Sequence, residues 1–390
     1  MTRWSADSSA LRPAWAILLV LGLALPAASP PGARAAVTLG VSPAVVELRA
    51  DAGAEGEQSV TVLNGGDEDI EVATAVEAYK GADGERSAVA WLTAAPASFR
   101  LEPGESRAVE VAIEVPGGLT SGGRYAQVSF TTGGGAVEGS GAAVAGKVGV
   151  AFLVVVEGDG EIERAVALER FAPTLEPDGR VGFRALVRND GNVHARPTGA
   201  VAISDGTGEP FGSLEMPQGG TLLPDDSLLM AARGSLPLDP AARYTARAVV
   251  EYGEEEPITA EVAFAPVAAL TIPTLSVCEN LDRGPTLTLG LRNEGELGLL
   301  PRVELALREA DGMALGGATP PDPLLLWPGE TVEFGLDYPE RLVSGEYVLA
   351  VRVDYAMPSA DGQTILPPVE QETVFAIGGL GDGAAPVCGT

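Results

Sequence analysis

The stretch that decides the fold runs from Leu291 to Glu330, opening with Leu-Arg-Asn-Glu-Gly and closing with Leu-Trp-Pro-Gly-Glu. Related Asn and Leu-x-Pro segments occur twice before it, and a Tyr that opens a strand follows each set. The Asn-to-Pro gaps are 39, 35 and 35 positions, and the Pro-to-Tyr gaps are 22, 20 and 19. Constant order and spacing indicate a module present three times. The markers are Asn64, Pro103 and Tyr125; Asn189, Pro224 and Tyr244; Asn293, Pro328 and Tyr347.

Each marker has a local reason. Asn tolerates the positive φ of a tight turn, and Pro presets φ at the second position of a type II turn. We expect each Tyr to be a core residue that tethers a strand corner. Segments rich in Val, Ile and Thr, such as Ile70 to Val76 and Tyr125 to Phe130, are bounded by turn residues and predict short strands. The chain is therefore predicted to be all-β, with three β-sandwich domains of about 100 residues each.

The N-terminus has the pattern of a cleaved signal peptide. Arg3 and Arg12 precede or flank the apolar run Ala14 to Leu25, and Ala33-Arg34-Ala35 supplies a cleavage site. That run is shorter than the roughly 20 residues of a membrane span. We predict a signal peptide at 1–35, module one at 36–157, module two at 161–266, module three at 270–378 and a C-terminal tail at 379–390. The protein is expected to be exported, to the periplasm or the cell surface and medium, without a membrane anchor.

Composition argues against several functions. A net charge of −29 disfavours nucleic acid and anionic lipid as partners. His194 is the single histidine, so any Ser-His or Cys-His nucleophile would depend on it, and its place after the module-two turn predicts a surface or strand-edge residue. No phosphate-binding Gly loop or His-Glu-x-x-His motif occurs. We expect no enzyme activity, no catalytic residue, no cofactor and no metal site; weak calcium binding at Asp159-Gly160, Asp205-Gly206 or Asp382-Gly383 is an open alternative.

Two cysteines, Cys278 and Cys388, lie in the predicted mature chain. An oxidising compartment favours a disulfide between them, which would tie the tail to the first strand of module three. Closing a loop of that length contributes on the order of 4 kcal/mol in the chain-entropy account.

Module one resembles the N-terminal domain of periplasmic pilus-assembly chaperones, which is a seven-stranded immunoglobulin-like sandwich. The likeness rests on four segments that are similar to the family's first two strands, its Leu-x-Pro-Gly stretch and its last strand. They are Leu39 to Leu48, Ser59 to Asn64, Ala95 to Val111 and Lys147 to Val156. The resemblance implies three tandem immunoglobulin-like β-sandwich domains, the first of them chaperone-like.

In that family the last strand is lent to a pilin subunit, completing its sandwich by strand addition. The resemblance assigns Lys147, at the start of that strand, the role of a lysine that anchors the subunit's carboxylate. The family's first-strand arginine has no counterpart here, because Gly40 to Leu48 holds no basic residue. If donation occurs, the predicted residues alternate onto one face of the strand; otherwise this is simply the paired last strand of module one. The predicted partner-binding residues are Lys147, Val148, Val150, Phe152, Val154 and Val156.

Modules two and three are similar to CARDB-like immunoglobulin-like repeats of bacterial surface proteins, and modules one and two to WxL-type cell-wall proteins. The sequence thus predicts a non-enzymatic cell-envelope protein that engages an exported protein subunit through strand edges and loops. An adhesin or wall-binding scaffold, with a cell-wall component as its partner, is the alternative.

Overall fold

The computed structural model describes residues 38–133, 146–254, 256–278, 285–318, 324–338, 342–356, 368–377 and 388–389. The predicted signal peptide at 1–35 lies outside these residues. Within them the chain forms 24 strands in six sheets, and the helical segments are two 3₁₀ turns, Gly84–Arg86 and Val89–Trp91. The all-β prediction is confirmed, and the sheets are those of immunoglobulin-like sandwiches. No helix in the described part of the chain has the length and hydropathy to cross a bilayer.

Module one contains two sheets that enclose one apolar core. Their orders are β1-β3-β7-β5 and β2-β9-β8-β4-β6. Alternate side chains point to the core, as a sheet with one buried face requires; Val60 and Val62 face Val72 and Phe130 across it. The strands are β1 (Leu39–Ser42), β2 (Val45–Asp51), β3 (Glu55–Asn64), β4 (Ile70–Glu77), β5 (Leu92–Ala95), β6 (Ser98–Leu101), β7 (Ser106–Glu114), β8 (Gly122–Thr132) and β9 (Lys147–Glu157).

Module two pairs a three-stranded sheet, β10-β11-β14, with a four-stranded sheet, β13-β12-β15-β16. Phe183 and Val187 from the first sheet meet Val201 and Ala246 from the second in a shared core. The strands are β10 (Val166–Leu175), β11 (Val181–Asn189), β12 (Thr198–Asp205), β13 (Pro210–Met216), β14 (Ser227–Ala231), β15 (Tyr244–Glu251) and β16 (Ile258–Phe264).

Module three pairs the sheets β21-β18-β17-β24 and β20-β19-β22-β23. Strand β24 lies within the segment predicted as a tail and pairs antiparallel with β17, where Cys388 stands opposite Cys278. The strands are β17 (Leu270–Cys278), β18 (Thr286–Asn293), β19 (Arg302–Glu309), β20 (Ala314–Ala318), β21 (Thr331–Asp337), β22 (Gly345–Asp354), β23 (Val369–Ile377) and β24 (Cys388–Gly389).

Each repeated Asn ends a strand and is buried, with at most 1% of its surface exposed. Its Nδ2 donates to the carbonyl four residues on and to the carbonyl of the Leu in the Leu-x-Pro turn, and its Oδ1 accepts from the amide two residues on. The Nδ2–O distances are 2.8 and 3.2 Å at Asn64, 2.8 and 3.0 Å at Asn189, and 2.7 and 3.0 Å at Asn293. The distances from the backbone amide to Oδ1 are 3.0 Å at Asn64, 2.9 Å at Asn189 and 2.9 Å at Asn293.

The predicted reason for Asn was therefore wrong. In the described residues, positive φ outside glycine occurs only at Lys80 and Asp225. Asn is required because one amide supplies both the donors and the acceptor that a buried strand end lacks. Its selection is a matter of tertiary hydrogen bonding, not of φ.

The Leu-x-Pro turns have the predicted conformation. The residue after each Pro has positive φ: 75° at Gly104, 65° at Asp225 and 75° at Gly329. Its amide donates to the carbonyl of the module's Asn over 2.8, 2.9 and 3.0 Å respectively. The Asn turn and the Leu-x-Pro turn thus bind each other, and we call them together the corner of a module. The corners are 64–69 with 101–105, 189–194 with 222–226, and 293–298 with 326–330.

Two of the three marker tyrosines tether a strand corner through their hydroxyl, and the third does not. Tyr244 Oη accepts from the amide of Asp239 at 3.1 Å, and Tyr347 Oη donates to the carbonyl of Val343 at 2.7 Å. Both tether a strand corner, as predicted. Tyr125 does not, because its side chain is buried where modules one and two meet, with its ring against that of His194.

Candidate protein-binding strand

Strand β9 has one incompletely paired edge. It pairs antiparallel with β8 along Lys147 to Val156, whereas its parallel pairing with β2 begins only at Ala151, opposite Val45. Strand β1, which precedes β2, belongs to the other sheet. In the described part of the chain, no strand pairs with the segment 147–150 on the β2 side, although β1 approaches β9 without pairing with it. The backbone groups of that segment on the β2 side therefore have no ladder partner and could pair with another chain.

The five apolar residues predicted for partner binding point to the inside of module one. Val150, Phe152, Val154 and Val156 are fully buried between the two sheets, and Val148 is half-buried against the same core. The face that the sequence singled out is thus the inward face of β9. These side chains hold the sandwich together, while the backbone edge beside Lys147 stays open.

Lys147 already holds a carboxylate. Its Nζ lies 2.7 Å from Oε2 and 2.9 Å from Oε1 of Glu77, at the half-exposed end of the strand. The hydrogen bond from Lys147 lowers the pKa of Glu77, which favours the carboxylate form of that side chain. The ammonium group is therefore placed to bind a carboxylate, and a partner's carboxylate would have to replace that of Glu77.

The outward face of β9 is covered by module two. Leu153 and Ala151 pack with Tyr125 of β8 against Leu223, the x residue of the module-two Leu-x-Pro turn. The backbone amide of Gly123 donates to Asn192 O at 2.8 Å. We call this contact between modules one and two junction one. Further bonds across it run from cations of module one to module two: Lys80 Nζ to Thr221 O and Arg86 Nη1 to Pro224 O, each over 2.6 Å, and Arg86 Nη1 to Asp225 Oδ2 over 3.3 Å.

His194 lies inside junction one rather than on the surface, so its predicted exposure was wrong. Its side chain is 9% exposed, with Nε2 3.7 Å from Oε1 of Glu47 on β2. Its ring meets that of Tyr125 edge-on at 5.7 Å, and Arg196 Nη2 bonds the same Glu47 oxygen at 2.6 Å. Burial lowers the pKa of His194, with Glu47 opposing and Arg196 and Arg164 reinforcing the change. The partners of His194 are thus a carboxylate, Glu47, and an aromatic ring, Tyr125.

Acid should weaken the fold through His194. The unfolded chain takes up the proton first as the pH falls below the ordinary value of 6.5, because the pKa in the folded chain is lower. The stability contribution is full above that pH and is lost as the pH falls through the lowered pKa. We expect the Tm of the wild type to fall more between pH 7.5 and 5.5 than the Tm of His194→Gln. The variant keeps every acidic residue of the wild type, so the difference between the two falls reports the imidazole alone. Equal falls would contradict the assignment.

The signals that sequence reasoning missed were present. The run Val150 to Val156 contains no polar residue, a pattern of strands that are buried on both faces. The x residue of the repeated turn is Glu102 in module one but Leu223 and Trp327 in the next two, and only an apolar residue there suits a buried contact. Aligning the three turns would have located the covering module.

No metal site stands out. Among the described residues, no group of three or more His, Cys, Asp or Glu side chains could hold an ion. The Asp205 carboxylate accepts from Thr207 N at 2.8 Å and Thr207 Oγ1 at 2.7 Å, which lowers its pKa and engages it in its own turn. The Asp382-Gly383 loop lies outside the described residues.

Comparison with known proteins gives structural similarity alone. No protein family and no curated protein matches the chain. Among solved structures, the YadV chaperone is 10% identical with a TM-score of 0.32, over 58% of this chain and 98% of that chain. The Escherichia coli chaperone DraB is 13% identical with a TM-score of 0.32, over 58% and 97%. The Salmonella enterica SafA pilin in complex with the SafB chaperone is 14% identical with a TM-score of 0.32, over 59% of this chain and 99% of that chain.

Proposed function

We propose that this chain is an exported, non-enzymatic cell-envelope protein that binds a protein subunit by strand addition at the start of β9. The observation that carries the proposal is that the backbone of Lys147 to Val150 has no strand paired with it on the β2 side, while the Lys147 side chain holds a carboxylate on the β8 and β4 side. An added strand gains main-chain hydrogen bonds from the edge. The inward side chains of β9 stay in the core, so binding does not require module one to open.

Replacing Lys147 by alanine should remove most captured partner while leaving the fold intact. The side chain is half-exposed, and its ion pair with Glu77 lies at the surface, where such pairs add little to stability. The experiment is affinity purification of the chain from its native envelope, with partners quantified by mass spectrometry. Tm measured on the same preparations should be unchanged.

The matched control is Arg107→Ala. Arg107 is also an exposed cation of module one, but it lies on β7 in the opposite sheet. This variant changes the net charge equally and should keep the partner. If both variants return the wild-type set of partners, strand addition at Lys147 is wrong.

The proposal includes export, the division into three modules and one disulfide. Signal cleavage after Ala35 would give a mature N-terminus at residue 36, which N-terminal sequencing tests directly. The modules are assigned to 36–157, 161–266 and 270–378. The register of β17 and β24 supports a Cys278–Cys388 disulfide, since residues directly opposite in antiparallel strands have the Cα spacing that a disulfide needs. Peptide mapping without reductant would detect it.

A wall-binding scaffold is the second candidate. Modules two and three form a groove of about 670 Å³ that is lined by aromatic and charged side chains. Such a mixture suits a polyhydroxylated ligand, with carboxylates and guanidinium groups as hydrogen-bond partners. Retention of the purified chain on cell-wall glycan would favour this function, and its recovery only with protein subunits would favour the first. The groove is lined by Glu169, Arg170, Phe171, Phe264, Glu296 and Trp327.

A further inference from the structure

The two junctions between modules use the same structural element. In each, the corner of the later module docks on the module before it. We call the contact between modules two and three junction two. Trp327 takes the place there that Leu223 has in junction one, and Arg170 lies over its ring at 5.6 Å and bonds Glu330 at 3.0 Å. In module one the equivalent residue, Glu102, is exposed.

Junction two is continuous with the protein interior. One apolar cluster runs through modules two and three without a break. The backbone of Gly298 also joins the edge of β10, donating to Pro173 O and accepting from Leu175 N, both at 2.8 Å. Separating these modules would expose shared core and break strand-like pairing, so they should move as one body.

Junction one is built differently. Its apolar cluster is separate from both neighbouring cores, and Leu223 is the one buried apolar residue that module two gives to it. Two buried polar side-chain atoms there, His194 Nδ1 and Arg196 Nε, have no hydrogen-bond partner in the described chain. Buried polar groups without partners oppose docking. The apolar part of junction one is therefore small, in contrast to the shared core of junction two.

We propose that junction one is a releasable latch, in which module two closes over the outward face of β8 and β9. Release uncovers the apolar patch of Tyr125, Ala151 and Leu153, which extends the binding surface that begins at the open edge of β9. This inference rests on the proposed function of β9: if a partner binds there, covering of the adjacent face by module two limits that binding. The covered state is an autoinhibitory contact, and Leu223 is its key residue.

The test is Leu223→Asp in the full chain, followed by amide hydrogen exchange and small-angle X-ray scattering. Leu223 takes no part in the core cluster of module two, so that module should still fold. The amide of Gly123, bonded across the junction to Asn192 O, should exchange at least tenfold faster, while Phe152 in β9 keeps its protection. The radius of gyration should rise. Leu229→Asp, at a leucine of β14 that is 45% exposed, is the matched control and should change neither.

Arg86→Ala provides a second opening variant that leaves the apolar contact intact. It removes the bond to Pro224 O and should also accelerate exchange at Gly123, by a smaller factor than Leu223→Asp does. Unchanged exchange at Gly123 in Leu223→Asp would overturn the latch, as would loss of protection at Phe152 together with Gly123. Capture of the partner should increase severalfold in Leu223→Asp. If Lys147→Ala leaves partners unchanged, the binding function fails, whereas exchange at Gly123 still decides the latch.

Discussion

Asn293→Ala should destabilise module three by about 3 kcal/mol, because it leaves Leu297 O and Gly295 N without a partner and removes one of the two donors to Leu326 O. Nδ2 of Asn293 donates to Leu297 O at 2.7 Å and to Leu326 O at 3.0 Å, and Oδ1 accepts from Gly295 N at 2.9 Å. The residue is fully buried, so water does not replace these bonds without opening the corner. Chemical denaturation of the full chain measures the loss.

Two variants bracket this result. Asn293→Asp keeps the acceptor for Gly295 but has no donor and places a carboxylate beside two carbonyl oxygens, so it should be at least as destabilising as alanine. Gln371→Ala removes an exposed amide from β23 of the same module and should have little effect. If the free energy of unfolding of Asn293→Ala is within about 1 kcal/mol of the wild-type value, the corner does not depend on this amide. Asn64 and Asn189 make the same bonds and should behave alike.

The repeated markers were predictable from the sequence because they are short-range features. The positive φ after Pro328 follows from turn chemistry within four residues, and the structure has it at Gly329. The role of Asn293 was not predictable in the same way. One of its bonds reaches Leu326, 33 residues away, and no local preference reports such a partner. The spacing of 35 positions from Asn to Pro is the sequence trace of that contact.

The candidate site was only half predictable for a similar reason. Alternation along β9 correctly separates Phe152 from Leu153, but it does not say which face lies inside. That depends on β8 and β2 on either side and on Leu223, which comes from another module. His194 was expected at the surface because it follows a turn, and turns are usually exposed. Here the turn is the docking corner, so its residue is buried.

Phe152→Ala should destabilise module one by about 3–5 kcal/mol, the usual effect of removing a large aromatic side chain from a core. Phe152 has no exposed surface and lies between the two sheets among Val60, Val111 and Phe130. The matched control is Phe211→Ala on β13. That phenylalanine is 44% exposed and has an edge-on ring contact with Tyr244 at 5.2 Å. We therefore expect Phe211→Ala to lower the free energy of unfolding by only about 1 kcal/mol.

This measurement separates two ways in which β9 could bind a partner. If the inward face were lent to a subunit, Phe152→Ala would abolish capture even at low temperature, where the variant remains folded. If the backbone edge is the binding element, the variant loses stability, and capture falls only as far as the folded fraction falls. Capture measured at low temperature, where the variant remains folded, should then match the wild type. Lys147→Ala would show the opposite pattern, with stability kept and capture lost, because its side chain is half-exposed and lies outside the core.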